Sequence, residues 1–535
     1  MAAIAHAGSH RSKQFASGPL ALAGIAVFTF LVCYFRSFVF PKAPVLSWGD
    51  HLGFFYNGAR IVSGELPYRD YFEIVSPGTD LIYAFLIKCF GLRTWVPNLL
   101  MAVVGAAMAC IITVAARRVL RGTLSLLPAL LFTGFILYAS LDPTHHWFST
   151  LAVMCAMLVL LDGTSMPRIA AAGALCGLAA CFTQSKGATA VLSFLAYFLW
   201  KTRRDRSAAN NLGAETYDCG RKCLTLCGAA AGVFFAVNAY FIGSAGLQRW
   251  LYCIIIFPLR YYPAPTINNW RVVLFDFQSH GGALKWISYP FVYITVPLVY
   301  ILFFLVMYRQ RLRWPLVPWD RLVLIALTGL GMFLAIASAP SMKRLSTAGA
   351  PAMILLAWLL DEWWLNRTRK VPPVFNYGAK KIRAERLLLL AVAAFALEPA
   401  LHNQLRPHGY LNLPAGRTAF SDRLLYAEYA WVLANTHPGQ FFFGMPPFYT
   451  AFYLRNPAAT DAVESTEYTR PEQVAALVQA LKSHPVPLLI LNKSLDLMYP
   501  ADPSSDHAGA FRAYVLQNYR LVLRFPTGDD VWQKI

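Results

Sequence analysis

The chain has 535 residues, of which 57% are hydrophobic and only 14% charged, and its mean hydropathy is +0.46. That balance excludes a soluble globular domain, because several apolar runs reach the roughly 20 residues that cross a ~30 Å hydrocarbon core as helix. The formal charge of +20 does not point to nucleic acid either: the basic residues fall in short clusters between apolar runs, as in cytoplasmic loops held at an anionic leaflet.

In chain order, Arg11 and Lys13 precede an apolar run from Gly18 to Phe40. The run outlasts the ~7–15 apolar residues of a signal peptide and no small-residue cleavage site closes it, so it reads as a retained first helix. Further spans are expected at 93–116, 124–140, 147–163, 169–184, 186–200, 223–243, 284–307, 321–340, 345–363 and 387–402. The run Pro77–Gly91 is apolar but short, and Lys88 interrupts it. Suppose it does not span and the N-terminus is cytoplasmic. Arg117, Arg118 and Arg121, the segment Lys201–Lys222, Arg309–Arg313 and Arg367–Arg386 then all fall on the cytoplasmic side, as the positive-inside rule requires. Counting Pro77–Gly91 as a span puts every one of those clusters outside. It is therefore read as an interfacial helix.

The expected fold class is an α-helical polytopic membrane protein of about 11 spans, up to about 13, with outer-face interfacial helices and a small C-terminal α/β domain. The same topology places outside the loop 41–92, the turn 142–147, the hairpin 184–187, the loop 244–283, the turn 341–344 and everything after about residue 403. The loop 244–283 is rich in interfacial aromatics, among them Trp250, Tyr261, Tyr262 and Trp270, with Pro265, and serves as a groove cover or a plain anchor. After 403 the pattern changes. Leu424–Asn435 and Glu472–Lys482 have helical spacing, while Gln440–Gly444, Pro487–Asn492 and Tyr519–Phe525 read as short strands. The expected division is a membrane domain over 1–402 and an extracytoplasmic α/β domain over 403–535.

Ten cysteines lie mostly in or beside apolar runs and none follows Cys253, so no disulfide framework is expected in the C-terminal region. Cys219, Cys223 and Cys227 share a helical face, but with no further ligand nearby they read as small buried hydrophobes. No cofactor or metal is called for.

The polar loop that follows the first span carries the chemistry. Asp50 precedes an amphipathic run, His51 to Val62. Its spacing by itself fits a helix N-cap best, with the second reading a carboxylate at a lipid–water boundary whose basicity is raised by desolvation, as a general base requires. Further on, Tyr68-Arg69-Asp70 is either a solvated surface pair or a set in which Arg69 holds a phosphate while Asp70 orients a hydroxyl. Glu65 and Asp80 are expected to be solvated. Asp142, His145 and His146 occupy the next outer turn, and hydrogen bonding to substrate fits them better than a metal, since adjacent side chains diverge on a helix. Lys186, Lys343 and Arg344 run against the positive-inside bias. They are candidates to hold an anionic head group, or else they snorkel to the interface.

Asp50, then Gly64-Glu65-Leu66-Pro67-Tyr68-Arg69-Asp70, then Ser76-Pro77-Gly78, with the hairpin Thr183-Gln184-Ser185-Lys186-Gly187, resembles the membrane glycosyltransferases of the GT-C type. The pattern is similar to that of bacterial relatives of dolichyl-phosphate-mannose–protein mannosyltransferases and of the lipid A aminoarabinose transferase. The resemblance implies inverting transfer of a sugar from a polyprenyl-phosphate-linked donor to the hydroxyl of a glycan, lipid or protein, outside the cytoplasm, in the inner or plasma membrane. It implies Asp50 as base, and Lys186 with Lys343 or Arg344 as holders of the leaving phosphate. His51 stands where many relatives have a second acid, which leaves open whether Asp50 acts alone or with Asp70 or Asp142, and whether a divalent metal is used. The competing readings are a transporter or flippase of a lipid-linked glycan, and a purely structural protein.

Overall fold

The computed structural model describes residues 18–206, 212–264, 268–278, 285–312, 314, 317–369, 377–446, 449–457, 469–493, 497–499 and 506–535. Arg11, Lys13, Pro265 and parts of the basic segments 201–222, 309–313 and 367–386 lie outside these residues. Every apolar run expected to span is helical. In order come α1 (Pro19–Ser37), α2 (His51–Val62), α3 (Gly78–Phe90), α4 (Trp95–Ala116), α5 (Gly122–Ala139), α6 (His145–Leu161), α7 (Met166–Phe182), α8 (Gln184–Arg206) and α9 (Leu212–Ala245). After the broken helix α10 (247–260) come α11 (Val272–Gln278), α12 (Lys285–Gln310), α13 (Trp319–Leu334), α14 (Met342–Thr347), α15 (Ala350–Arg369) and α16 (Tyr377–Leu405). Among the described residues, five segments are long and apolar enough to cross a membrane: α1, α4, α5, the Tyr217–Ala245 part of α9, and α12. The chain is a multi-pass membrane protein.

The helices pack through one apolar core. Met101, Met108 and Ile112 of α4, Phe132 and Ile136 of α5, and Trp147, Val153 and Met157 of α6 are buried together. Helices α7 and α9 touch backbone to backbone, because any Cβ at Gly173 or Gly177 would run into the carbonyl oxygens of Leu226 and Ala230. Paired small residues at this spacing let two helices approach where no hydrophobic force drives them together in lipid. Helix α3 has 13 residues, about 20 Å at ~1.5 Å per residue, too short for a full crossing.

The loop after α1 is fixed by backbone pairing. Strands β1 (Phe38–Val39) and β2 (Ala43–Pro44) form a short antiparallel pair. Leu46 N–H then donates to the Ala419 carbonyl at 2.9 Å, in the hairpin of β3 (Gly409–Leu413) and β4 (Gly416–Phe420). Asn98 of α4 donates to the carbonyls of Ser37 at 2.6 Å and Val45 at 3.0 Å. The segment after α16 thus seats directly on the loop that carries Asp50.

Beyond the hairpin, helices α17 (Arg423–Asn435), α18 (Pro471–Ser483) and α19 (Gly509–Asn518) pack on a four-stranded sheet. It comprises β5 (Phe443–Met445), β6 (Leu488–Asn492), β7 (Tyr519–Arg524) and β8 (Asp529–Lys534), in the order β5-β6-β8-β7. Strands β5 and β6 run parallel and the other pairs antiparallel. The three expected strands and two expected helices are present. The 409–420 hairpin, α19 and β8 were not expected. Strand β8 buries Asp529, Asp530, Val531 and Trp532 in succession, so it shows no apolar/polar alternation.

Glu428 of α17 is buried in this region and accepts from Tyr449 Oη at 2.7 Å and Thr527 Oγ1 at 2.8 Å. Burial, and after it the nearby Asp529 carboxylate, pushes its carboxyl up to about 7. A folded-state value above the unfolded one means that the folded chain binds the extra proton, so stability falls as pH rises from the ordinary glutamate range through about 7. The melting temperature is expected to be higher at pH 5 than at pH 8 by a margin that Glu428→Gln reduces, as read by thermal denaturation in detergent.

Candidate active site

Asp50 occupies the capping position just before α2, yet its carboxylate makes no capping bond. The cap comes from another loop. Asp142, just before α6, accepts from the Asp50 backbone N–H at 3.1 Å and from the His51 N–H at 3.0 Å. It also meets His51 Nδ1 at 2.5 Å. A helix N-terminus offers unpaired N–H donors and the positive end of the helix dipole, so a carboxylate placed there is held by charge and by hydrogen bonds at once. Gly49 makes the approach possible, since a Cβ there would lie 2.6 Å from Asp142 Oδ2. The Asp142 loop is fastened in turn by Tyr83 of α3, whose hydroxyl donates to the Pro143 carbonyl at 2.8 Å.

This arrangement separates the two carboxylates. Burial raises the Asp142 carboxyl, but His51, through its charge and hydrogen bonds, and Lys343 outweigh it, and Asp142 stays below the usual range. Lys343 Nζ lies 3.8 Å from Asp142 Oδ2. Asp50 moves the other way. Its side chain retains an accessible surface, while protein crowds its remaining sides; burial, and next the negative charge of Asp142, raises it, against the pull of Lys343, Arg344 and His51. Among the described residues Asp50 is an ionisable carboxylate with no hydrogen-bond partner, set between an anion and two cations.

The turn 341–344 is the N-terminus of the short helix α14, with Ser341 Oγ accepting from Arg344 N–H. Arg344 points its guanidinium at neutral acceptors, Tyr262 Oη at 3.1 Å and Asn268 Oδ1 at 3.0 Å. Among the described residues it has no carboxylate partner. Asp276 of α11 fixes α14 from the other side, accepting from Met342 N–H and from Tyr293 Oη, each at 2.6 Å. His145 and His146 stand in the first turn of α6 with ring centroids 3.9 Å apart. Among the described residues neither Nδ1 has a hydrogen-bond partner. Among the described residues no three His, Cys, Asp or Glu side chains are grouped as a metal ion needs.

The structure therefore brings Asp50, Asp142, His145, His146, Lys343 and Arg344 together. Three expectations change. Lys186, read as an accessible phosphate holder, is fully buried, its Nζ bonded to the His146 carbonyl and to Thr150 and Thr347 Oγ1. Tyr68, Arg69 and Asp70 form a separate structural network: Arg69 and Asp70 pair with each other at 2.6 Å, and Asp70 Oδ2 accepts from Leu66 N–H at 2.7 Å. Tyr68 is fully buried in the left-handed region with φ 68°, its hydroxyl on the Val75 carbonyl and its own carbonyl accepting from Arg249 Nε. Asp80 is buried, not solvated, and Glu65 pairs with the buried Arg60. The sequence reading missed His51 and Asp276. The departure from the resembled pattern at His51 was the one signal for the first, and nothing local marks the second.

No protein-family model matches the chain, and no curated protein matches its sequence. Its fold does match solved structures. ArnT from Cupriavidus metallidurans, bound to undecaprenyl phosphate, superposes with a TM-score of 0.55 at 14% identity, covering 96% of this chain and 98% of that one. The archaeal oligosaccharyltransferase AglB from Archaeoglobus fulgidus, in complex with an inhibitory peptide and a dolichol-phosphate, gives a TM-score of 0.51 at 13% identity, covering 96% and 74%. These are GT-C type glycosyltransferases. The chain has the GT-C fold, and with ArnT it shares that fold over nearly the full length of both chains.

Gly49→Ala is expected to push Asp142 off the N-terminus of α2, and Asp142→Ala to leave two backbone N–H groups uncapped. Losing such a cap costs ~1 kcal/mol. Both variants should melt earlier than the parent in detergent, with Asp142→Asn intermediate because it keeps an acceptor.

Proposed function

We propose that this protein transfers a sugar from a polyprenyl-phosphate-linked donor to an acceptor hydroxyl on the extracytoplasmic face of a membrane, with inversion at the anomeric carbon. The observation that carries this reading is the partnerless Asp50 carboxylate beside Lys343 and Arg344 in a GT-C fold. Asp50 takes the proton of the acceptor hydroxyl as its oxygen bonds to the anomeric carbon. The bond from that carbon to the phosphate oxygen breaks, and the lipid phosphate leaves with the electron pair. A raised Asp50 carboxyl is a stronger base than an ordinary aspartate, which favours this proton transfer.

Charge supports the same assignment. The donor is a phosphodiester with one negative charge, and its phosphate gains a second as it leaves. Fixed cations stabilise that developing charge without reorganising. Lys343 and Arg344 lie within electrostatic reach of Asp50, and Arg344 is held by neutral groups that a phosphate can displace. Orientation rests on the basic clusters, which the positive-inside rule assigns to the cytoplasm, opposite the Asp50 loop. By this reading Asp142 and His51 position the base, His145 and His146 offer nitrogen atoms to donor or acceptor, and Asp70 with Arg69 shapes the loop without touching substrate. The acceptor is a glycan, lipid or protein hydroxyl.

Asp50→Asn, assayed in membranes with labelled lipid-linked sugar, should lower transfer by about 10²–10⁴-fold, the usual contribution of a general base. Undiminished transfer by a correctly inserted variant removes Asp50 from that role. Because the base acts deprotonated and its carboxyl is raised, the acid limb of the pH–rate profile should lie above the ordinary aspartate range. Asp50→Asn should abolish that limb, and Asp70→Asn should leave it in place.

A further inference from the structure

Lys186 is the most deeply buried cation of this region. It stands in the first turn of α8 with no exposed surface, and among the described residues it has no carboxylate partner. Its Nζ lies 3.0 Å from the His146 carbonyl, 3.0 Å from Thr150 Oγ1 and 2.6 Å from Thr347 Oγ1. Both hydroxyls have already committed their hydrogens. Thr347 Oγ1 donates to the Arg344 carbonyl at 2.7 Å, and the single hydrogen of Thr150 Oγ1 is shared between the His146 carbonyl at 2.8 Å and the Thr347 carbonyl at 2.9 Å. All three neighbours of Nζ are therefore acceptors, a set that matches the three N–H donors of an ammonium.

The network joins three helices at one atom: α8 carries the ammonium, α6 supplies His146 and Thr150, and α14 supplies Thr347 and, through it, Arg344. We propose that Lys186 is a positioning residue, which locks the Lys343–Arg344 end of α14 against the His145–His146 end of α6 so that the lipid phosphate meets preset cations. The inference rests on the glycosyl-transfer reading and deepens it by assigning how the phosphate subsite is built. Burying an ion without a counter-ion is costly. Three well-formed hydrogen bonds and an incoming anion are what offset that cost.

The test is the affinity of the detergent-purified protein for undecaprenyl phosphate, measured on the folded, monodisperse fraction so that lost stability alone does not register. Lys186→Met removes the ammonium. Thr347→Val keeps the shape of Thr347 but removes the oxygen that couples Lys186 to Arg344, and it serves where Lys186→Met fails to fold. Each is expected to weaken undecaprenyl phosphate binding by about tenfold or more, the scale of a lost hydrogen bond to a charged group. The two effects should be far from additive when combined, because both cut one network. Wild-type affinity in the folded variants overturns the assignment of Lys186 while leaving the glycosyl-transfer reading in place. Absence of undecaprenyl phosphate binding by the parent protein overturns both.

Discussion

One carboxylate holds the site together. Asp142 belongs to the loop before α6, but its oxygens are spent at the start of α2 and on the His51 ring. Without it the α2 N-terminus has no side-chain cap, because Asp50, the residue in the capping position, does not turn back on its own helix. The exchange has a chemical result. A carboxylate that caps its own helix is tied by hydrogen bonds and made less basic, whereas one relieved of that duty by another carboxylate is both free and more basic. The fold thus separates two aspartates of the same intrinsic acidity into an anion that positions and a carboxylate that can exchange protons.

Around this contact the helices act as successive supports. Tyr83 of α3 fixes the Asp142 loop, and Lys343 reaches Asp142 from α14. Helix α14, only six residues long, has little cohesion of its own; Asp276 on one side and Lys186 on the other secure it. The hairpin 409–420 closes the assembly by pairing with the chain at Val45 and Leu46. Residues hundreds of positions apart are therefore needed to hold Asp50 where it stands.

That distribution explains what the sequence could and could not disclose. Every apolar run that hydropathy marked as a span became helical, whereas 247–260, read as part of a loop, is also helical; turn chemistry with apolar spacing marked two helices and three strands after residue 403. Asp50, Asp142, Lys343 and Arg344 were legible singly, as polar residues in greasy surroundings or against the charge bias. Their joint arrangement was not, because capping in trans requires knowing which loop folds onto which helix. Lys186 misled for the same reason: a lysine at a short turn looks accessible until the neighbouring helices close over it. Asp80 and strand β8 misled through burial of polar residues, which erases the pattern that hydropathy reads. Gly173 and Gly177 show the reverse, an unmarked pair of small residues whose meaning lies in the facing backbone of α9.

In the proposed reaction, the electrostatics favour Asp50 over Asp142 as the proton acceptor. Asp142 lies at hydrogen-bond distance from two backbone N–H groups and an imidazole, so proton uptake there must break bonds that order α2. Asp50 has no such bond to lose among the described residues. Protonating it relieves repulsion from Asp142, and the cost falls only on its attraction to Lys343, Arg344 and His51. A phosphate bound at those cations reduces that attraction further, because its own negative charge offsets theirs. Under the proposed glycosyl transfer, donor binding and base strength would be coupled: an anion at those cations would make Asp50 more basic when an acceptor proton must be removed. A partnerless carboxylate, a low-lying neighbour and a cationic turn held from behind are together sufficient for that coupling, and each of the three depends on a contact made outside the loop that carries Asp50.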